Sequence, residues 1–212
     1  MKSIKIVVVL FMFFTLGCST MTGSEHRISH GGAHEYALTP VDYSQYGRPP
    51  IPVKILLLVP AEFERFDHIS NYERGSTRYL LGPDAELEMR EAFGIEFAKV
   101  DVWPVQSEAR AIEMLSPYDP ENVRVQAYDY VAIPKFLRVD SLGRREKYEF
   151  EIDLQVEFNA KNGSSITIKG HGESMIGKYA LSTPEKGANL SLQYAISALL
   201  DGIEKNRNLF VR

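Results

Sequence analysis

The stretch Tyr148-Glu149-Phe150-Glu151-Ile152-Asp153-Leu154-Gln155-Val156-Glu157-Phe158 alternates apolar and polar residues without a break. Successive side chains of a strand point to opposite faces, so this pattern predicts a strand with one buried and one wet face. Asn162-Gly163 follows, a dipeptide suited to the positive φ angles of a tight hairpin. Ser165 to Ser174 is then the return strand, and Gly170 and Gly172 within it predict a bulge or a close backbone approach. Upstream, Tyr128 to Val139 is rich in β-formers but carries Pro134, which predicts an edge or bulged strand. Ser141-Leu142-Gly143 reads as the turn that closes a three-stranded meander.

Working outward, Val53 to Val59 is a short apolar run ended by Pro60, of the length of a strand buried on both faces. Residues 61–82 read as a long connection with a possible short edge strand from Thr77 to Leu81. It carries Phe63, Phe66, Tyr72 and Tyr79. Gly82-Pro83-Asp84 marks a helix start, and Met89, Ala92, Phe93 and Phe97 recur at helical spacing. Ala98 to Val105 reads as a strand, and Ser107 opens a short helix to Leu115. Ser182-Thr183-Pro184-Glu185 starts a further helix whose core face holds Leu192, Ala195, Ile196, Leu199 and Ile203. This order predicts an α+β fold, a mostly antiparallel sheet with two main helices packed on one face.

The chain has 212 residues, 44% hydrophobic and 11% aromatic, enough to build one core. Its net charge of −4 argues against general nucleic-acid binding, which needs a basic face.

The N-terminus reads as a secretory signal: Lys2 and Lys5, an apolar run from Ile6 to Leu16, then the small residue Gly17. That run is shorter than the roughly 20 residues needed to span a bilayer. Thr15-Leu16-Gly17-Cys18 resembles the lipobox of bacterial lipoproteins, except that the usual leucine three places before the cysteine is Thr15. The resemblance implies cleavage before Cys18, the chain's only cysteine, and acylation of its sulfur and amino group. Ser19, with no aspartate there, implies the outer membrane, periplasmic face. The expected organisation is a signal over residues 1–17, a lipidated, flexible or extended tether over 18–52 rich in Gly, Pro and Tyr, and a periplasmic α+β domain over 53–212.

From Val53 to Asn206 the order of elements resembles a group of small periplasmic lipoproteins that includes YajG and LptE. Three patterns carry it: Leu56-Leu57-Leu58-Val59-Pro60; the helix–strand run from Leu87 through Phe97 to Val102; and Asp129-Tyr130-Val131-Ala132-Ile133-Pro134 leading into the hairpin. The resemblance implies a non-enzymatic accessory of the cell envelope, held to the membrane by its lipid. Its partner would be an envelope protein or a lipidic ligand. It implies no cofactor.

Candidate chemistry is sparse. Phe63, Phe66, Tyr72 and Tyr79 are candidates for contact with a partner or an acyl chain, against a structural role capping the domain's open edge. Gly170-His171-Gly172-Glu173-Ser174 offers a Ser174/His171 pair for a lipid-anchored hydrolase. However, Ile176 stands where a nucleophile elbow has its last glycine, and no helix follows. A subunit of a secretion or surface-organelle assembly is a further alternative. His26, His30 and His34 stand four apart but flank Gly31-Gly32, which breaks a helix, so they read as tether and no metal site is expected. Glu149, Glu151, Asp153 and Glu157 form one row on the exposed strand face, a candidate carboxylate site for a metal or a glycosidic bond, or an attractor of a cationic partner, against the preferred reading of a solvated, aggregation-resistant surface.

Overall fold

The apolar run after residue 50 becomes the strand around which the sheet is assembled. The computed structural model describes residues 26–29, 35–38, 49–72, 75–144, 147–177 and 184–211. In chain order the elements are β1 (His26–Ser29), β2 (Glu35–Leu38), β3 (Ile51–Pro60), α1 (Ala61–Glu64), β4 (Asp67–Tyr72), β5 (Gly75–Leu80) and α2 (Leu81–Glu96). Then come β6 (Phe97–Val105), α3 (Glu108–Glu113), α4 (Asn122–Val125), β7 (Tyr130–Arg144), β8 (Lys147–Ala160), β9 (Ser165–Gly177), α5 (Pro184–Lys205) and α6 (Arg207–Phe210). The main sheet runs β6-β3-β7-β8-β9, while β1–β2 and β4–β5 form separate antiparallel pairs. The ladder of β1 and β2 falls inside the stretch read as tether, and β3 begins at Ile51, two residues before the expected domain start.

The expected mostly antiparallel sheet is instead mixed. β3 pairs parallel with both β6 and β7, whereas β7–β8 and β8–β9 are antiparallel. A parallel neighbour needs a crossover, and α2 supplies it between β3 and β6. The described residues hold six helices, and α3 and α4 lie on the opposite sheet face from α2 and α5. β3 is buried on both faces because of this. Ile55, Leu57 and Val59 join the larger core, while Leu56 and Leu58 pack with Ala111, Met114, Val125, Val131 and Ile133.

Pro134 does not make β7 an edge strand. β3 pairs with β7 only through Leu57↔Ala132, so Pro134 lies past the end of that ladder and its missing N–H breaks no bond there. The bulge is at Leu137: Phe136 faces Leu154 and Arg138 faces Asp153. Ser141-Leu142-Gly143 is not a turn. These residues continue β7 opposite Phe150, Glu149 and Tyr148. The connection 61–82 is likewise not a long loop but α1 followed by the β4–β5 hairpin.

The alternation of β8 is realised in full. Phe150, Ile152, Leu154, Val156 and Phe158 are all buried. Phe158 meets Phe93, Phe97 and Phe210 at centroid distances of 5.8, 5.9 and 5.1 Å. The turn into β9 uses Gly163 at φ +82°, a conformation that a side chain disfavours. The ladder from Asn159↔Ser165 to Lys147↔Gly177 has no register shift, so Gly170 and Gly172 mark a close approach and not a bulge. A Cβ on Gly170 would stand 2.0 Å from the Ala195 carbonyl oxygen, and one on Gly172 1.9 Å from that of Ser191. The α5 backbone therefore rests directly on the β9 backbone.

Candidate functional site

α2, α5 and the β4–β5 hairpin pack against one face of the sheet. On the other face α3 and α4 cover β6, β3 and the first residues of β7. No described element packs over the outward face of β8, β9 and the far half of β7. Side chains project there in three rows: Arg138, Asp140 and Leu142 from β7; Glu149, Glu151, Asp153 and Gln155 from β8; and Lys169, His171, Glu173 and Met175 from β9. Leu142 and Met175 are exposed by 45% and 57% and flank Glu149 from either side. A depression of about 320 Å³ is lined by Arg138, Asp140, Leu142, Glu149, Glu151 and Glu173.

The charges on this face pair across strands, at the spacing at which strand side chains interact, and in one case along β8 between Lys147 and Glu149. Arg138 Nη1 lies 2.9 Å from Glu151 Oε1, Lys147 Nζ lies 3.1 Å from Glu149 Oε1, and His171 Nδ1 lies 2.7 Å from Asp153 Oδ1. The acidic row is thus interleaved with basic groups. Among the described residues, one group of three has donor atoms gathered closely enough to hold a metal ion: Glu151, Asp153 and His171, all within 4.8 Å of one another. Sequence reading placed these residues on a wet surface without bringing His171 to Asp153. The register was the missing signal: pairing outward from Asn162-Gly163 sets His171 directly opposite Asp153.

The other predicted residues are dispersed. Ser174 is buried and donates a 2.8 Å hydrogen bond to the Gly187 carbonyl, with Ser191 Oγ 2.9 Å away. His171 projects from the opposite face of the same strand. Residues three apart in a strand point to opposite sides, so the Ser174/His171 pair cannot act as nucleophile and base. Phe63 and Tyr79 are buried. Phe63 and Phe66 stack on Phe136 at 4.8 and 4.3 Å, and Tyr79 meets Phe150 edge-on at 5.2 Å. Tyr72 is in β4, but its side chain lies outside the described residues, as do Cys18, His30 and His34. His26 falls in β1, and nothing further is described of it.

One buried ionisable group sits apart from this face. Asp84, in the first turn of α2, is 3% exposed. Burial, with the Glu88 carboxylate as a second cause, pushes its pKa up to about 7. A carboxyl whose folded-state pKa is raised stabilises the protein fully below its unfolded value, and that contribution is lost as pH rises through 7. Asp84→Asn is therefore expected to raise the melting temperature at pH 8 and to change it far less at pH 4. The gain has an upper bound on the order of 4 kcal/mol. Thermal unfolding across pH 4–8 checks this, and an equal shift at every pH would count against the buried-charge account.

No family model matches the chain, and no curated protein matches its sequence. Several solved structures are distantly similar to it. Protein XCC0632 from Xanthomonas campestris, of the DUF330 family model, is 12% identical with a TM-score of 0.44, covering 76% of this chain and 88% of that one. Hypothetical protein CT253 from Chlamydia trachomatis is 10% identical at 0.42, over 74% and 97% of the two chains. Lipoprotein GNA1162 from Neisseria meningitidis is 12% identical at 0.37, over 72% and 99%. At these values the likeness assigns no activity. Among the described residues, no helix is long and apolar enough to cross a membrane.

Proposed function

We propose that this chain is a lipid-anchored, non-catalytic accessory of the bacterial cell envelope that holds a partner protein on the bare face of β7, β8 and β9. The observation that carries the reading is that face itself: a wide sheet surface, opposite a fully covered core, with two exposed apolar side chains set among both signs of charge. Interface patches commonly pair an apolar centre with a polar rim. Of the aromatics that are candidates for contact with an acyl chain, Phe63 and Tyr79 are closed into the core, which favours a protein over a lipidic ligand. The finer placement, acylation at Cys18 and residence at the periplasmic face of the outer membrane in the manner of YajG- and LptE-type lipoproteins, rests on the sequence alone.

Two measurements test this. Cys18→Ala should shift the protein from the membrane fraction to the soluble fraction and abolish incorporation of labelled fatty acid. Membrane partition that survives the substitution would overturn the anchor. A photo-crosslinker at Glu173 should yield one discrete adduct in intact cells, and one at Tyr194, exposed on α5, should not. Equal labelling from both positions would remove the docking face.

A further inference from the structure

The uncovered sheet face carries a second, chemically distinct arrangement. We infer that Glu151, Asp153 and His171 form a binding site for a zinc-like divalent cation, with its remaining coordination position open to solvent. Two carboxylates converge here on one imidazole nitrogen. His171 Nδ1 is 2.7 Å from Asp153 Oδ1 and 4.0 Å from Glu151 Oε1. Zinc held at about 2.0–2.1 Å in a tetrahedral site needs neighbouring donors about 3.3 Å apart. The two distances bracket that value and all three donor atoms lie within 4.8 Å of one another, so binding would open the Asp153 contact by about 0.6 Å and draw the Glu151 carboxylate inward.

The backbone beneath is suited to hold such a set. Asp153 and His171 are direct partners in the β8–β9 ladder, and Glu151 is two residues from Asp153 on the same face. β8 is hydrogen-bonded on both sides, by β7 and β9, so two of the three ligands sit on an interior strand. Sites on strands of a sheet hold their geometry better than sites on loops. His171 is 54% exposed, which leaves an entry path.

Donor chemistry selects the ion. An imidazole with two carboxylates suits zinc and its borderline neighbours, whereas calcium and magnesium prefer all-oxygen sets. The competing arrangement is an ordinary surface network, in which Asp153 bonds His171 and Glu151 pairs with Arg138 at 2.9 Å. Arg138 also contacts Asp140, so Glu151 can turn to a cation while Arg138 keeps a partner. The inference does not depend on the docking role proposed above, since a cation can bind here whether or not a protein does.

Isothermal titration of the full chain in detergent with zinc chloride at pH 7.5 tests it. One site is expected in the wild type. His171→Ala and Asp153→Asn should each weaken binding by at least tenfold with an unchanged melting temperature in the absence of metal. The variant with His26, His30 and His34 all changed to alanine should retain the wild-type affinity within threefold. Absence of binding by the wild type at millimolar zinc, wild-type affinity in His171→Ala, or loss of binding in the triple-histidine variant would each overturn the assignment.

Discussion

Gly172→Ala is expected to unfold most of the protein at room temperature, or to bring its urea midpoint close to zero. The added Cβ would stand 1.9 Å from the Ser191 carbonyl oxygen and 2.5 Å from the Ala195 nitrogen, both backbone atoms of α5. No side-chain rotation relieves a clash with backbone, so the whole helix must lift by more than 1 Å to restore van der Waals contact of about 3.2 Å or more. Lifting α5 would part Leu192, Ala195, Ile196 and Leu199 from the sheet, all of them buried. Overpacking alone costs roughly 1–3 kcal/mol, and lost packing along a 22-residue helix adds to that. A domain with about 5–15 kcal/mol to lose has little left. Gly94→Ala is the matched control. Its Cβ meets nothing within 4 Å, and alanine in a helix is favoured over glycine by about 0.8–1.0 kcal/mol. A Gly172→Ala midpoint equal to that of the wild type would mean that α5 does not rest on β9 as described.

Phe158→Ala should cost about 3–5 kcal/mol, the usual range for truncating a buried phenylalanine. The site cannot collapse easily. Phe158 is fully buried and touches three rings from three other elements: Phe93 on α2, Phe97 on β6 and Phe210 on α6. Phe97 and Phe210 also meet each other at 5.5 Å, so the surrounding rings brace one another and hold the void open. Phe158→Leu keeps much of the volume and should cost less than half as much. Urea denaturation of both variants measures the difference. A loss below about 1 kcal/mol for the alanine variant would contradict the bracing described here.

What could be read from the sequence follows from where local pattern decides structure. Strict alternation in β8 fixed its inward face because period two admits no other assignment. The helical spacing of Met89, Ala92 and Phe93 located α2 for the same reason. Strand neighbours were harder, because pairing is a long-range choice. Pro134 pointed to an edge or a bulge; β7 does carry a bulge, at Leu137, and the register with β3, which stops at Ala132, shows why a proline is tolerated in an interior strand. The β4–β5 hairpin was hidden because Asp67 to Tyr72 mixes charged, polar and apolar residues, and its strands are stabilised by tertiary contacts. His68 Nε2, for example, lies 2.8 Å from Ser141 Oγ, and its ring meets Phe150 edge-on. The Glu151–Asp153–His171 group was only half legible. Each residue could be placed on the wet face, but their meeting depends on an unbroken ladder, and Gly170 and Gly172 left a bulge open as an alternative.

The position of β3 has a mechanical consequence. Tension applied to the chain just ahead of Ile51 loads the strand lying between β6 and β7. Both neighbours run parallel to it. A pull along that axis loads the flanking hydrogen bonds together, in shear, and cannot open them one at a time like a zipper. Arg207 contacts the Pro49 carbonyl, so the final helix grips the chain just ahead of the loaded strand. A pull on the chain ahead of β3 would therefore be opposed by two ladders at once.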